Sequence, residues 1–153
     1  MARKHTIVGL GEVLWDLLPG GKQLGGAPAN FAYITSLLGD RGVVASRVGT
    51  DALGKEAVRK LETLSLEIAH LQRDSQHPTG TVKVEVDSHG QPVFEISENV
   101  AWDFLEWTPE WESLAKQADA ICFGSLAQRS SGSRQTMLRF LQAARPEALK
   151  FST

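Results

Sequence analysis

Asp16 and Asn30, with the pair Gly25-Gly26 between them, are the residues of this chain whose types and spacing could hold a neutral polyol. An aspartate ionised at neutral pH only accepts hydrogen bonds, so Asp16 can take them from two vicinal hydroxyls, each worth ~1.5–3 kcal/mol as a contact to a charged group. Asn30 offers two donors and an acceptor. Gly25 and Gly26 carry no side chain, so their backbone can approach a ligand closely and can also serve as a hinge. Taken singly, each has a plainer reading: a turn carboxylate, a first-turn helix residue, ordinary turn formers. Taken together, the four favour a polyol site. Phe94 and Ile96 either cover that polyol or pack their own hairpin, and Glu12, Glu95 and Glu98 read as solvated or lid residues.

Two other patterns suggest nucleotide chemistry and fail on inspection. Gly9-Leu10-Gly11 follows an apolar run as a dinucleotide fingerprint would, but Leu14 stands at the third glycine position. Gly49 to Lys55 has the Gly-x-x-x-x-Gly-Lys spacing of a phosphate loop. It is followed by Glu56, where a Ser or Thr hydroxyl would hold magnesium, so it reads as a helix-opening turn. The histidines His5, His70, His77 and His89 show no metal-ligand spacing, and Cys122, between Ile121 and Phe123, reads as a small buried hydrophobe.

The elements that would position Asp16 and Asn30 alternate between strand and helix. Thr6 to Leu10 is a short β-branched run that predicts a buried parallel strand, and Val13 to Leu18 is a second apolar run. Pro28 suits the start of a helix with Phe31, Ile34 and Leu38 on its core face and Gly39 as its C-terminal cap. Val43 to Val48 predicts the next strand, followed by a helix with Val58, Leu61 and Leu64 inward. From Thr79 the period changes to two. Val82, Val84 and Val86 alternate with polar residues, turn at Ser88 to Pro92 and return through Val93 to Ser97, which predicts an antiparallel hairpin outside the main sheet. Thr108-Pro109 opens another helix, Ala120 to Phe123 is a strand, a helix using Met137, Leu138, Leu141 and Ala144 ends before Pro146, and Leu149 to Phe151 begins a further strand. This rhythm predicts an α/β sheet with right-handed crossovers.

Composition narrows the partners. Of 153 residues, 16 are basic and 18 acidic with no long run of either sign, so the chain lacks the cationic stripe that nucleic acid or an anionic membrane requires. A single cysteine cannot form an intrachain disulfide and suits a reducing compartment. The basic start Met1 to His5 is not followed by an unbroken apolar stretch, so no signal peptide is expected. The expectation is a cytoplasmic protein with no membrane or nucleic-acid partner.

The run Gly25-Gly26-Ala27-Pro28-Ala29-Asn30-Phe31-Ala32, followed by Gly39 and Gly49, resembles the N-terminal signature of the ribokinase-like, or pfkB, carbohydrate kinases, within them the fructokinases. Gly11 to Asp16 is similar to that family's first-strand segment ending in a sugar-binding aspartate. The resemblance implies the N-terminal part of a three-layer α/β/α sandwich with a small antiparallel β lid, the core being about 1–11, 28–78 and 101–153 and the lid about 12–27 and 79–100. It implies a substrate site on Asp16, Gly25, Gly26, Asn30 and Phe94, a sugar such as fructose or a related hexose as ligand, and a homodimer through the lid. It also implies ATP and Mg2+ as the whole family's cofactors, bound by a Gly-Ala-Gly-Asp element and an adenosine pocket for which these residues hold no match. The expectation is a sugar kinase lacking its catalytic aspartate and ATP site, inactive alone. The alternative is a non-catalytic sugar-binding or regulatory half that acts with another chain.

Overall fold

The computed structural model describes residues 2–153; Met1, counted above in the basic start and in the core, lies outside them. Nine strands form two sheets. The larger is parallel, in the order β5(Leu71–Asp74), β4(Arg41–Gly49), β1(Thr6–Leu10), β8(Ala120–Phe123), β9(Leu149–Ser152). The smaller is mixed, in the order β3(Gly21–Gly25), β2(Leu14–Leu18), β6(Gly80–Val86), β7(Pro92–Ile96).

Alternation along the central strands sends side chains into two cores. Val8, Leu10, Val43, Ala45 and Ile121 meet Trp111 and Leu114 of α3(Pro109–Gln117) and Met137 and Phe140 of α4(Ser131–Ala143) on one face. Val44 and Val48 meet Ala29 and Ala32 of α1(Ala27–Leu37) and Ala57 and Leu61 of α2(Ala52–Thr63) on the other. The result is the three-layer α/β/α arrangement expected from the sequence. Helix starts follow local chemistry: Asp51 Oδ1 accepts from Gly54 N at 2.9 Å to cap α2, and Thr108 Oγ1 accepts from Trp111 N at 3.1 Å to cap α3.

Two helix faces differ from the sequence reading. In α1 the buried residues are Pro28, Ala29 and Ala32, whereas Ile34 is 57% and Leu38 80% exposed. The helix lies so close to the sheet that Gly9 and Gly42 abut the backbone of Pro28 and Ala32, which leaves room only for small side chains. Phe31 is half-buried, against Phe151 of β9. In α4, Leu138 is exposed and Ser133, Thr136, Met137 and Phe140 face inward. The two hydroxyls are tolerated there because Ser133 donates to Trp102 O and Thr136 to Leu105 O, each at 2.9 Å.

The second sheet carries one feature that the hairpin pattern does not reveal. β6 and β7 are antiparallel, but β2 pairs with β6 in parallel, Asp16 opposite Val82, so segments more than sixty positions apart share a sheet. The base of this sheet is tied to the core twice. Asp51 accepts from Thr79 N at 3.0 Å and Thr79 Oγ1 accepts from Gly49 N at 3.0 Å. Arg129 grips Asp103 at 2.8 and 2.9 Å and donates to Ser97 O, just past β7. No helix among the described residues is long and apolar enough to cross a membrane.

Candidate functional site

Strand alternation places Leu14, Asp16 and Leu18 on one face of β2 and Trp15 and Leu17 on the other. Trp15 is anchored in the core, its indole N–H donating to Leu53 O at 2.9 Å. By register the Asp16 face continues through Gly25 on β3, Val82 and Val84 on β6 and Phe94 and Ile96 on β7. Val82 is buried, Val84 half-buried, Phe94 61% exposed. Asp16 is therefore a half-buried carboxylate on a largely apolar face, with the exposed Gln23 of β3 directly opposite it. Among the described residues no side-chain hydrogen bond or ion pair reaches it, and burial raises its carboxyl above the ordinary aspartate range.

Gly25 leaves room for that carboxylate: a Cβ at this position would lie 2.7 Å from Asp16 Oδ2, so Asp16 would have to turn aside. Gly26 N-caps α1 with φ 110, a conformation other residues rarely adopt, and supplies no side-chain cap to the helix's first N–H groups. Asn30 sits one turn in, its N–H bonded to Gly26 O at 3.1 Å and its side chain exposed without a protein partner among the described residues. Asn30 and Gly25 both line a cavity of about 410 Å3 floored by Trp15 and Leu61. Gly25 is thus common ground. The structure brings it against Asp16 on one side and beside Asn30 on the other, while Asp16 itself is not part of that cavity.

Glu12, read above as a solvated or lid residue, is 4% exposed. Its Oε2 accepts from Ala127 N at 3.2 Å, Gly124 leaves the space its carboxyl fills, and burial raises its pKa. The available signal was its place directly after a buried strand, between Gly11 and Val13. Glu95 and Glu98 are exposed as expected. Sequence reasoning missed Arg129, whose guanidinium also stacks over Trp102 at 4.1 Å; nothing in the local pattern links it to Asp103 and Ser97. His77 follows β5, and its ring bonds Asp74 at 2.9 Å and stacks on Phe104. The Gly49 to Lys55 stretch runs from the end of β4 through Thr50 and Asp51 into the first turn of α2.

The sequence profile of the pfkB family carbohydrate kinases matches residues 19–152. The chain belongs to that family. Klebsiella pneumoniae fructokinase is 33% identical over 141 residues, 88% of this chain and 45% of the fructokinase. Among solved structures, a sugar kinase of Pyrococcus horikoshii superposes with a TM-score of 0.86 at 25% identity, over 96% of this chain and 52% of that one; it has also been solved in complex with ATP. Vibrio cholerae fructokinase, in its fructose, ADP and calcium bound form, superposes with a TM-score of 0.76 at 25% identity, over 97% and 49%. This pfkB-family chain spans about half the length of the curated relatives it matches, and its two sheets and flanking helices are the N-terminal part of their ribokinase-like fold.

Proposed function

We propose that this chain forms the sugar-binding part of an ATP-dependent sugar kinase of the fructokinase type. The observation that carries the reading is Asp16, an unpartnered carboxylate on a largely apolar sheet face, with Gly25 keeping clear the space beside it. A neutral polyol meets both demands of such a site: hydroxyls donate to the carboxylate, and the ring's C–H surface lies on Val84 and Phe94. Asn30 offers its amide in the neighbouring cavity, on the other side of Gly25 from Asp16. The match to a fructokinase of known fructose-bound form supports fructose or a related hexose as ligand.

The family's nucleotide and magnesium do not fit the residues present. The one phosphate-loop spacing, Gly49 to Lys55, has its helix start taken up internally, Gly54 N by Asp51 Oδ1 and Lys55 N by Asp51 O. Glu56 stands where the metal-binding hydroxyl would be and pairs with Lys22. Phosphoryl transfer depends on positioning and charge stabilisation of the phosphates, so on this reading it calls for groups beyond these 153 residues.

The second reading, a sugar-binding half that works with another chain, is favoured by one observation. Ile34 and Leu37 of α1, Leu38 just after it, and Leu149 and Phe151 of β9 are exposed apolar side chains, and Phe31 of α1 meets Phe151 on the edge strand β9. Titration calorimetry with a panel of hexoses tests the binding claim, and a coupled assay for ADP release with fructose tests the catalytic one. The expected result is sugar binding without turnover. Binding of no hexose refutes the site, and turnover free of contaminating kinase refutes the division of labour.

A further inference from the structure

Away from the Asp16 face, three cations border a cavity whose wall holds no carboxylate. Lys55 and Arg59 stand on successive turns of α2 and Arg73 on β5, and all three line one cavity of about 350 Å3 together with Thr50 and Val58. Four arginines elsewhere are paired with carboxylates: Arg41 with Glu67, Arg47 with Asp74, Arg129 with Asp103, Arg145 with Asp119. Here, among the described residues, Lys55 and Arg59 make no ion pair and no side-chain hydrogen bond, and Arg73 donates only to Leu71 O at 3.4 Å. Burial lowers the Arg73 pKa, and the charge of Glu62 offsets this without forming an ion pair. Like charges one helical turn apart repel, so the cluster is held at a cost that a bound anion would remove.

We propose that this cavity binds a phosphoryl group, free or as the phosphate monoester of a small metabolite, through Lys55, Arg59 and Arg73. Two guanidinium forks match the spacing of phosphate oxygens, the ammonium adds a point charge, and the Thr50 hydroxyl is a further donor. Val58 and the aliphatic stems of the cations supply apolar wall for a carbon skeleton, in a volume within the range of small-molecule sites. The site is not a phosphate loop, because the N–H groups of Gly54 and Lys55 are already bonded to Asp51; recognition rests on side chains. It lies apart from the sugar face, and its test is independent of the sugar reading.

Inorganic phosphate and fructose 6-phosphate are titrated into the intact chain at low salt, followed by 31P NMR and calorimetry. Arg59→Gln and Arg73→Gln are each expected to weaken binding at least about tenfold. Lys116→Gln, which removes the same unit of charge from an exposed pair with Glu112, is expected to leave it unchanged. Tighter binding of fructose 6-phosphate that Arg59→Gln and Arg73→Gln weaken and Asp16→Ala leaves unchanged assigns the site to an organic ester, equal binding of the two probes to free phosphate. Arg59 is exposed on its helix, so its variant keeps the test valid if Arg73→Gln fails to fold. Binding of neither probe at millimolar concentration overturns the proposal, as does equal weakening by Arg59→Gln, Arg73→Gln and Lys116→Gln.

Discussion

Replacing Asp16 by alanine removes the one ionised acceptor on the face that also bears Val82, Val84 and Phe94. A hydrogen bond to a charged group is worth ~1.5–3 kcal/mol. Asp16 is only half-buried, so solvent screens part of the interaction, and the expected total for one or two sugar hydroxyls stays near ~1.5–3 kcal/mol. At about 1.4 kcal/mol per decade, fructose affinity should fall by about 10- to 150-fold, measured by calorimetry on wild type and Asp16→Ala side by side.

The fold should not suffer, because no protein group bonds to Asp16 and its removal strands no buried donor. Burial raises the Asp16 carboxyl, so its ionised form is less favourable in the folded chain than in the unfolded one. Asp16→Asn should therefore be as stable as wild type below the ordinary aspartate range, and at least as stable at neutral pH. Fructose binding by wild type should weaken as pH falls through the raised pKa, since a protonated carboxyl gives up acceptor capacity. Equal fructose affinity in wild type and Asp16→Ala, with both folded, would refute the assignment.

Gly25→Ala places a methyl against Asp16 Oδ2, turns the carboxylate aside and should weaken fructose binding while thermal unfolding shifts little, checked by calorimetry and circular dichroism. Glu12→Gln keeps the acceptor for Ala127 N and removes the charge. Because burial raises the folded Glu12 pKa, wild type should lose stability as pH rises from the ordinary glutamate range through that raised value, and the variant should not; urea unfolding at pH 4 and pH 8 compares them. The apolar face of the second sheet, with Val86 and Phe94 more than half exposed, should cover the sugar cleft or meet the equivalent hairpin of a second copy. Val84→Lys should then lower the mass found by sedimentation, and an unchanged mass would count against that interface.

The main sheet was legible because buried parallel strands announce themselves as unbroken β-branched runs: Thr6 to Leu10, Val43 to Val48 and Ala120 to Phe123 all fall within strands of the structure. The hairpin was legible for the opposite reason, its strict alternation. What could not be read locally was anything set by distant partners. The inward face of α1 is made of Pro28, Ala29 and Ala32 because Gly9 and Gly42 bring the sheet within reach, and apolarity alone favoured Phe31, Ile34 and Leu38. Ser133 and Thr136 look like surface residues until Trp102 O and Leu105 O are placed above them. The parallel pairing of β2 with β6 joins segments whose own patterns carry no mark of each other.

Among the carboxylates with substantial burial, Asp16 differs in what surrounds it. Asp74, 2% exposed, receives the N–H groups of Gln76 and His77, the His77 ring and the Arg47 guanidinium. Asp103 holds Arg129 and Val100 N, Asp119 holds Thr6 N and Arg145, and Glu12 holds Ala127 N. Each has an internal donor to compensate for lost water, as a charge in a folded chain requires. Asp16 has lost part of its hydration to the neighbouring apolar side chains and gained no donor, and its raised pKa records that imbalance. Gly25 adds to the argument, since a residue there with a side chain would press on the carboxylate and the strand gains nothing from a glycine. The chain keeps an acceptor unpaired and keeps the space beside it open. Donors supplied by a ligand would settle both, and hydroxyls brought in on an apolar ring do so without adding a charge.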